Sequence, residues 1–266
     1  MLDMYTMGID IGSTSSKCVI LKNGIEIISE EIVNLGAGTK GTDLVMKNTI
    51  DKSGIKSREI SYIVATGYGR NSFDLAQKTM SELSCHSKGG GFIFGEVRTI
   101  IDIGGQDIKV LKLDKSGQLL NFIMNDKCAA GTGRFLEVMA RILDVELCEM
   151  GDLDEIANER TPISSTCTVF AESEIISCMA KKTPIPNVVK GIHYSVASRV
   201  AGLAKRIGVE NSVAMTGGVS KNKGIVTALS KELNTEILVS ERSQMAGAIG
   251  AALYAFEECN KDKKGN

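Results

Sequence analysis

One pattern occurs twice in the chain. It reads Asp10-Ile11-Gly12-Ser13-Thr14-Ser15-Ser16-Lys17 at first, and Asp102-Ile103-Gly104-Gly105-Gln106-Asp107-Ile108-Lys109 92 residues later. In both copies a short apolar strand ends at the aspartate and another begins at the lysine, before turns at Asn23-Gly24 and Ser116-Gly117. A repeat at this spacing indicates two related α/β halves and not a solenoid of small units.

An aspartate followed by a glycine-rich turn is suited to binding magnesium and phosphate. Backbone N–H groups of the turn can converge on phosphate oxygens, the hydroxyls of Ser13 and Thr14 add donors, and Lys17 adds positive charge if it faces the turn. The carboxylates of Asp10 and Asp102 can hold Mg²⁺ directly or through water. An ordinary hairpin explains either copy alone, so the presence of two copies is what favours a nucleotide site.

A third glycine motif, Gly217-Gly218, follows a short buried strand at 212–216. The three motifs together resemble the actin, Hsp70 and sugar-kinase ATPase superfamily. That resemblance implies an α/β fold of duplicated, ribonuclease H-like domains with an interdomain nucleotide cleft. We expect subdomains at 1–95 and 96–266, with the last helix a candidate to pack back on the first. The resemblance implies that ATP or ADP contacts Gly12, Ser13, Thr14, Ser15, Ser16, Lys17, Gly104, Gly105, Gly217 and Gly218, and we add Gln244 as a candidate near the adenine.

ATP hydrolysis requires an oriented water and phosphates shielded by magnesium more than it requires a strong base. Asp10 and Asp102 are therefore the catalytic candidates for holding Mg²⁺, and Gln106 is the candidate for orienting the water. Asp107 is the alternative in that role. The two histidines, His86 and His193, are expected to be structural.

Two of the seven cysteines, Cys128 and Cys167, stand directly before helical runs. The partial positive charge at a helix N-terminus favours a thiolate, which is a competent ligand for a metal or a cluster. The alternative is that both are small buried apolar residues. An iron–sulfur cluster usually takes four thiolates, so one chain is not sufficient, whereas two chains related by a two-fold axis can supply four.

Four longer motifs resemble the activators of 2-hydroxyacyl-CoA dehydratases. They read Thr66-Gly-Tyr-Gly-Arg-Asn71, Met80-Ser-Glu-Leu-Ser-Cys-His86, Asn125-Asp-Lys-Cys-Ala-Ala-Gly-Thr-Gly-Arg-Phe135 and Ser164-Ser-Thr-Cys-Thr-Val-Phe-Ala-Glu-Ser173. The family also contains ATPase subunits of benzoyl-CoA reductase, which remain an alternative.

This resemblance implies a homodimeric, oxygen-sensitive ATPase that holds one 4Fe–4S cluster between its subunits through Cys128 and Cys167. Such a protein accepts one electron from ferredoxin or flavodoxin, and ATP hydrolysis drives the electron onward to the dehydratase. Our hypothesis for the coupling is that nucleotide-driven closure rotates the two helices that begin at the cysteines.

Composition limits the other function classes. The chain has 31 basic and 32 acidic residues and no Trp, so nothing in its charge or aromatic content favours nucleic acid. The longest stretch without charge is 14 residues, at 243–256, and is too short to span a membrane. With no secretory signal pattern and no disulfide framework, we expect a cytoplasmic protein.

Two rival functions share the same glycine motifs. One is a small-molecule kinase, for example of an N-acetylated sugar, and the other is a filament-forming structural ATPase. Helical sequence after Asn71 is predicted to end at Gly89-Gly90-Gly91, where the glycines suggest a hinge.

Overall fold

The computed structural model describes residues 3–164 and 167–264, which divide into two compact units. The first unit contains the described residues up to Glu96, together with Asp114–Leu119 and the chain from Arg242 onward. The second unit contains Val97–Leu113 and Leu120–Glu241. In chain order the strands and helices are β1 (Tyr5–Ile11), β2 (Ser16–Lys22), β3 (Glu26–Val33), α1 (Gly41–Ser53), β4 (Ile60–Thr66), β5 (Lys78–Thr79), α2 (Glu82–Phe94), β6 (Thr99–Ile103), β7 (Ile108–Leu113), β8 (Leu119–Asn125), α3 (Gly133–Leu143), α4 (Met150–Glu155), α5 (Thr168–Ala180), α6 (Ile185–Ile207), β9 (Val213–Thr216), α7 (Lys223–Leu233), β10 (Ile237–Leu238) and α8 (Ala246–Lys264).

The sheet of the first unit has the strand order β3-β2-β1-β4-β5 and is covered by helices on both faces. Successive side chains of a strand point to opposite faces, and β2 follows this rule. Cys18 and Ile20 join an apolar cluster that includes Val45 of α1, whereas Val19 and Leu21 join a cluster formed with α8. Because both faces are buried, β2 has an almost continuous apolar sequence.

The second unit repeats this plan, with the strand order β10-β9-β6-β7-β8. Its core joins apolar side chains of β6, β7 and β9 to those of α3, α6 and α7. Phe135 of α3 is among the largest side chains that are fully buried there.

The internal repeat extends to strand pairing. In each unit the first two strands form an antiparallel hairpin in which the aspartate of the repeated motif lies opposite its lysine, Asp10 opposite Lys17 and Asp102 opposite Lys109. The predicted duplicated α/β fold is thereby confirmed.

A third strand completes each copy. The sequence predicts the strand at 212–216, but it does not predict that this strand and β4 pair with the strands of the repeated motif. β4 runs parallel to β1 with Thr66 beside Asp10, and β9 runs parallel to β6 with Thr216 beside Asp102. A glycine follows each threonine. The carboxyl ends of both parallel strands therefore bring a Thr-Gly pair next to the aspartate.

The prediction of a hinge at Gly89-Gly90-Gly91 is wrong, because α2 continues through all three glycines to Phe94. A Cβ on Gly89 would lie 1.9 Å from the carbonyl oxygen of Ala246, and one on Gly250 would lie 1.9 Å from the carbonyl oxygen of Cys85. The glycines serve the close approach of α2 to α8 and do not break the helix. Within the described ranges no helix is long and apolar enough to cross a bilayer.

Candidate functional site

The first glycine turn is held tightly by its surroundings. The amide of Gly12 donates to the carbonyl of Ser15 (3.1 Å), and the hydroxyl of Ser16 donates to the carbonyl of Leu35 (2.9 Å). A Cβ on Gly36 would lie 2.1 Å from the carbonyl oxygen of Ser13, so the turn rests directly on this glycine. Gly12, Ser13 and Thr14 are half-buried, whereas Ser15 and Ser16 are buried.

Asp10 has a buried carboxylate confined by two glycines. A Cβ on Gly67, whose φ is +91°, would lie 2.5 Å from Oδ1, and one on Gly247 would lie 2.8 Å from Oδ2. Lys17 Nζ lies 3.6 Å from Oδ2 and 3.5 Å from the carbonyl oxygen of Ser15. The lysine thus faces the turn, as the phosphate-binding interpretation requires.

The second aspartate, Asp102, has both carboxylate oxygens engaged. Oδ2 lies 3.4 Å from Lys109 Nζ, and Oδ1 accepts a hydrogen bond of 2.8 Å from the hydroxyl of Thr216. Lys109 also pairs with Asp107, so the carboxylate of Asp107 has a cationic partner inside the protein. Gln106 lies at the same turn and is exposed to solvent, whereas the carboxylate of Asp107 is paired with Lys109.

The glycine pair after β9 repeats the contact seen at Gly67. Gly217 has a φ of +84°, and a Cβ there would lie 2.3 Å from the carbonyl oxygen of Ile103 and 3.0 Å from Asp102 Oδ1. The backbone then makes a 3₁₀ turn over Gly218–Lys221 before α7 begins. Gly217 therefore holds the end of β9 close to the second glycine turn.

Helix α3 begins on the second turn. The first amides of a helix have no partner within it. Here the amide of Gly133 donates to the carbonyl of Gly104 (2.9 Å), and that of Arg134 donates to the carbonyl of Gly105 (2.8 Å). The position of α3 is therefore fixed by the backbone of this turn.

Cys128 and Cys167 lie before two helices that pack against each other, α3 and α5. Cys167 is the N-cap residue of α5 and is exposed. Cys128 is half-buried, and its carbonyl accepts a hydrogen bond from the side-chain NH₂ group of Asn125 (3.3 Å). Both are free thiols. Among the described residues no three His, Cys, Asp or Glu side chains are grouped so that they could hold a metal ion.

Two other cysteines are chemically different. Burial raises the pKa of Cys18 and of Cys85 to about 12, so both stay protonated thiols inside the first unit. This environment is that of an inert core residue and not of a ligand.

Sequence reasoning expected His86 to be structural and quoted Gly67 only within a family motif, and it placed neither of them, nor Gly247, beside Asp10. His86 is buried, and its Nε2 would lie 3.0 Å from a Cβ on Gly247, the atom that would also approach Asp10. The repeated Thr-Gly after each parallel strand was a signal that could have found Gly67. Gln244 lies in a 3₁₀ turn at Ser243–Met245 in the first unit and stays a prediction.

Comparison with known proteins agrees with this geometry. The chain is 56% identical to a 2-hydroxyisocaproyl-CoA dehydratase activator of Clostridioides difficile over 98% of both chains. It is 55% identical to an activator of lactoyl-CoA dehydratase of Anaerotignum propionicum, with 97% of this chain and 100% of the relative covered.

Solved structures extend the comparison to the fold. An activator of the 2-hydroxyisocaproyl-CoA dehydratase from Clostridium difficile with bound ADPNP superposes with a TM-score of 0.96 at 55% identity, covering 99% and 98% of the two chains. A ROK family glucokinase from Streptomyces griseus has a TM-score of 0.58 at 12% identity, covering 95% and 99%, and shares the fold alone.

The family model of the BadF/BadG/BcrA/BcrD ATPases matches residues 7–255, nearly the whole chain. With two glycine turns of the same construction and relatives of more than half identical sequence, the chain belongs to the BadF/BadG/BcrA/BcrD ATPase family.

Proposed function

We propose that the protein is the ATP-dependent activator of a 2-hydroxyacyl-CoA dehydratase. In this role it takes one electron from reduced ferredoxin or flavodoxin and passes it to the dehydratase, while ATP is hydrolysed to ADP and phosphate. The setting is the cytoplasm of an anaerobic cell that ferments amino acids. One observation carries the proposal: two free thiols precede helices that pack together, Cys167 at the N-cap of α5 and Cys128 in the loop before α3, and α3 starts on the second glycine turn.

Nucleotide binding rests on the two turns. Lys17 faces the first turn and offsets phosphate charge there, and Ser13 and Thr14 contribute half-buried donors. Magnesium, when bound, shields the phosphates. The carboxylate of Asp10 is suited to bind Mg²⁺ directly. The oxygens of Asp102 already have partners, so Asp102 is suited to contact Mg²⁺ through a water molecule. Exposed Gln106 orients the attacking water.

The donor set for a 4Fe–4S cluster fits two copies of the chain. Cys167 is an exposed thiol at the start of α5, and Cys128 is a half-buried thiol in the loop before α3. The cluster, when bound by four such thiolates, supplies a one-electron carrier. Beside Cys167, Val169 and Phe170 are 66% and 67% exposed, and β8, which ends three residues before Cys128, also exposes apolar side chains. Apolar side chains exposed near each of the two cysteines suit a protein interface, and they support a homodimer with one cluster on its two-fold axis.

Backbone hydrogen bonds and helix packing connect the second glycine turn, where the nucleotide would bind, to the two cysteines. Because the first amides of α3 bind the carbonyls of Gly104 and Gly105, a shift of that turn moves the start of α3. The loop that precedes this helix carries Cys128, and α3 packs on α5, which begins at Cys167. ATP and ADP bias this arrangement only through unequal affinity for its two states. If crystals with an ATP analogue and with ADP showed the same angle between the cysteine-bearing helices, this coupling would be wrong.

The function is tested by reconstitution. Anaerobically purified protein is mixed with a 2-hydroxyisocaproyl-CoA dehydratase, a chemical reductant, Mg²⁺ and ATP, and formation of the unsaturated acyl-CoA is followed. We expect product only when ATP is present, and none with the Cys167→Ala variant. Colourless, iron-free protein that phosphorylates a sugar would instead establish the kinase function.

A further inference from the structure

Three polar side chains form a hydrogen-bonded series inside the second unit. His193 Nδ1 lies 2.6 Å from Asp154 Oδ2, and His193 Nε2 lies 3.1 Å from the side-chain nitrogen of Asn222. The side-chain oxygen of Asn222 accepts from the amide of Ile225 (3.1 Å). His193 is fully buried and Asp154 is 8% exposed. The series joins α4, α6 and the start of α7.

The chemistry of each group fixes the direction of the series. A carboxylate only accepts, so Nδ1 of His193 carries the proton that it donates to Asp154. In a neutral ring Nε2 then accepts, and the NH₂ group of Asn222 is its donor. This orientation leaves the Asn222 oxygen for the amide of Ile225, which is the N-cap bond of α7. Each side chain in the series therefore has a fixed donor or acceptor role. Flipping the ring of His193 or the amide of Asn222 would break a hydrogen bond.

The series reaches the loop that follows the glycine pair. The amide of Asn222 donates to the carbonyl of Val219 (3.0 Å), and the hydroxyl of Ser220 donates to the carbonyl of Gly217 (2.7 Å). A Cβ on Gly224 would lie 2.2 Å from His193 Nδ1, so a glycine at this place admits the histidine. The histidine thus contacts Asn222, the residue that ends the connection between Gly217 and α7.

We infer that Asp154, His193 and Asn222 are positioning residues that hold the loop after Gly217-Gly218 in its nucleoside-binding conformation. The inference rests on the proposed function and on the expectation, from the superfamily resemblance, that ATP or ADP contacts Gly217 and Gly218. His193 is therefore more than a structural histidine, although it touches neither the phosphate turns nor the cysteines. Because the reacting phosphate contacts other residues, loss of the series raises KM for ATP and leaves kcat largely unchanged.

Two substitutions at the same buried position separate the two ends of the series. In His193→Gln the side-chain amide takes roughly the place of Nε2, so its oxygen can still accept from Asn222. In His193→Asn the amide takes roughly the place of Nδ1, so it can still donate to Asp154 but loses Asn222. We expect His193→Asn to raise KM for ATP and Kd for ADP about 5- to 30-fold, which corresponds to about 1–2 kcal/mol, the cost of one broken buried hydrogen bond. His193→Gln should stay within about threefold of the parent, about 0.7 kcal/mol.

The experiment measures ATP turnover and ADP binding by calorimetry on anaerobically purified parent and variants, with thermal midpoints recorded for each. A third variant, Asn222→Ser, keeps an N-cap for α7 but loses the contact with His193, and should behave like His193→Asn. Equal nucleotide parameters for His193→Asn and His193→Gln would overturn the inference, as would a fall in kcat alone. If the parent protein itself bound neither ATP nor ADP, the proposed function would fail, and the two failures are thus distinguishable.

Discussion

The close packing of α2 on α8 makes two glycines of one helix respond oppositely to the same substitution. In Gly89→Ala the new Cβ would lie 1.9 Å from the carbonyl oxygen of Ala246, about 1.5 Å short of ordinary contact at 3.4 Å. A backbone atom cannot move aside by changing rotamer, so we expect the upper end of the cost of overpacking, about 3 kcal/mol. Alanine has a higher helix propensity than glycine, which offsets about 1 kcal/mol, so the free energy of unfolding should fall by about 2 kcal/mol.

Gly91→Ala is the matched control, because it lies two residues further along the same helix and its new Cβ meets no atom within 4 Å. This variant should gain about 0.5–1 kcal/mol from helix propensity. In a thermal scan monitored by far-UV circular dichroism, Gly89→Ala should unfold about 4–8 °C below the parent and Gly91→Ala about 1–4 °C above it. If both alanines raised the midpoint, the close approach of the two helices would be refuted.

Three further predictions concern the site. Gly67→Ala should lower kcat/KM for ATP about tenfold or more, because strain at φ +91° adds to displacement of the Asp10 carboxylate, whereas Gly54→Ala, with φ +71° and open space, should leave turnover unchanged. Equal losses of kcat/KM in Gly67→Ala and Gly54→Ala would contradict the confinement of the Asp10 carboxylate by Gly67. Asp10→Ala should weaken Mg²⁺-dependent hydrolysis while iron content, measured on the same sample, stays at the parent level. Alkylation of the folded protein at pH 8 followed by mass spectrometry should leave Cys18 and Cys85 unmodified, since burial holds their pKa at about 12, and urea should expose both. Rapid labelling of either in the folded state would show that the core is open there.

Much of the fold followed from local sequence signals. The repeat of Asp-Ile-Gly predicted two related α/β halves because each copy carries its own strands and turn, and the hairpins pair Asp10 with Lys17 and Asp102 with Lys109.

The rest depends on packing between distant parts of the chain. Gly89-Gly90-Gly91 suggested a hinge because glycine is a weak helix former, and only the contact with Ala246, more than 150 residues away, explains why the helix continues there. In the same way, the partners of His193 lie on α4 and next to α7, and nothing local to the histidine identifies them.

The central claim is that thiols from two chains jointly hold one cluster, and iron counting tests it most directly. Anaerobically purified parent, Cys167→Ala and Cys148→Ala would be compared for iron, acid-labile sulfide and mass in solution, Cys148 being an exposed cysteine outside the proposed ligands. The account predicts a dimer with about four iron atoms per two chains for the parent and for Cys148→Ala, and none for Cys167→Ala. A monomeric, iron-free parent, or full iron in Cys167→Ala, would contradict it.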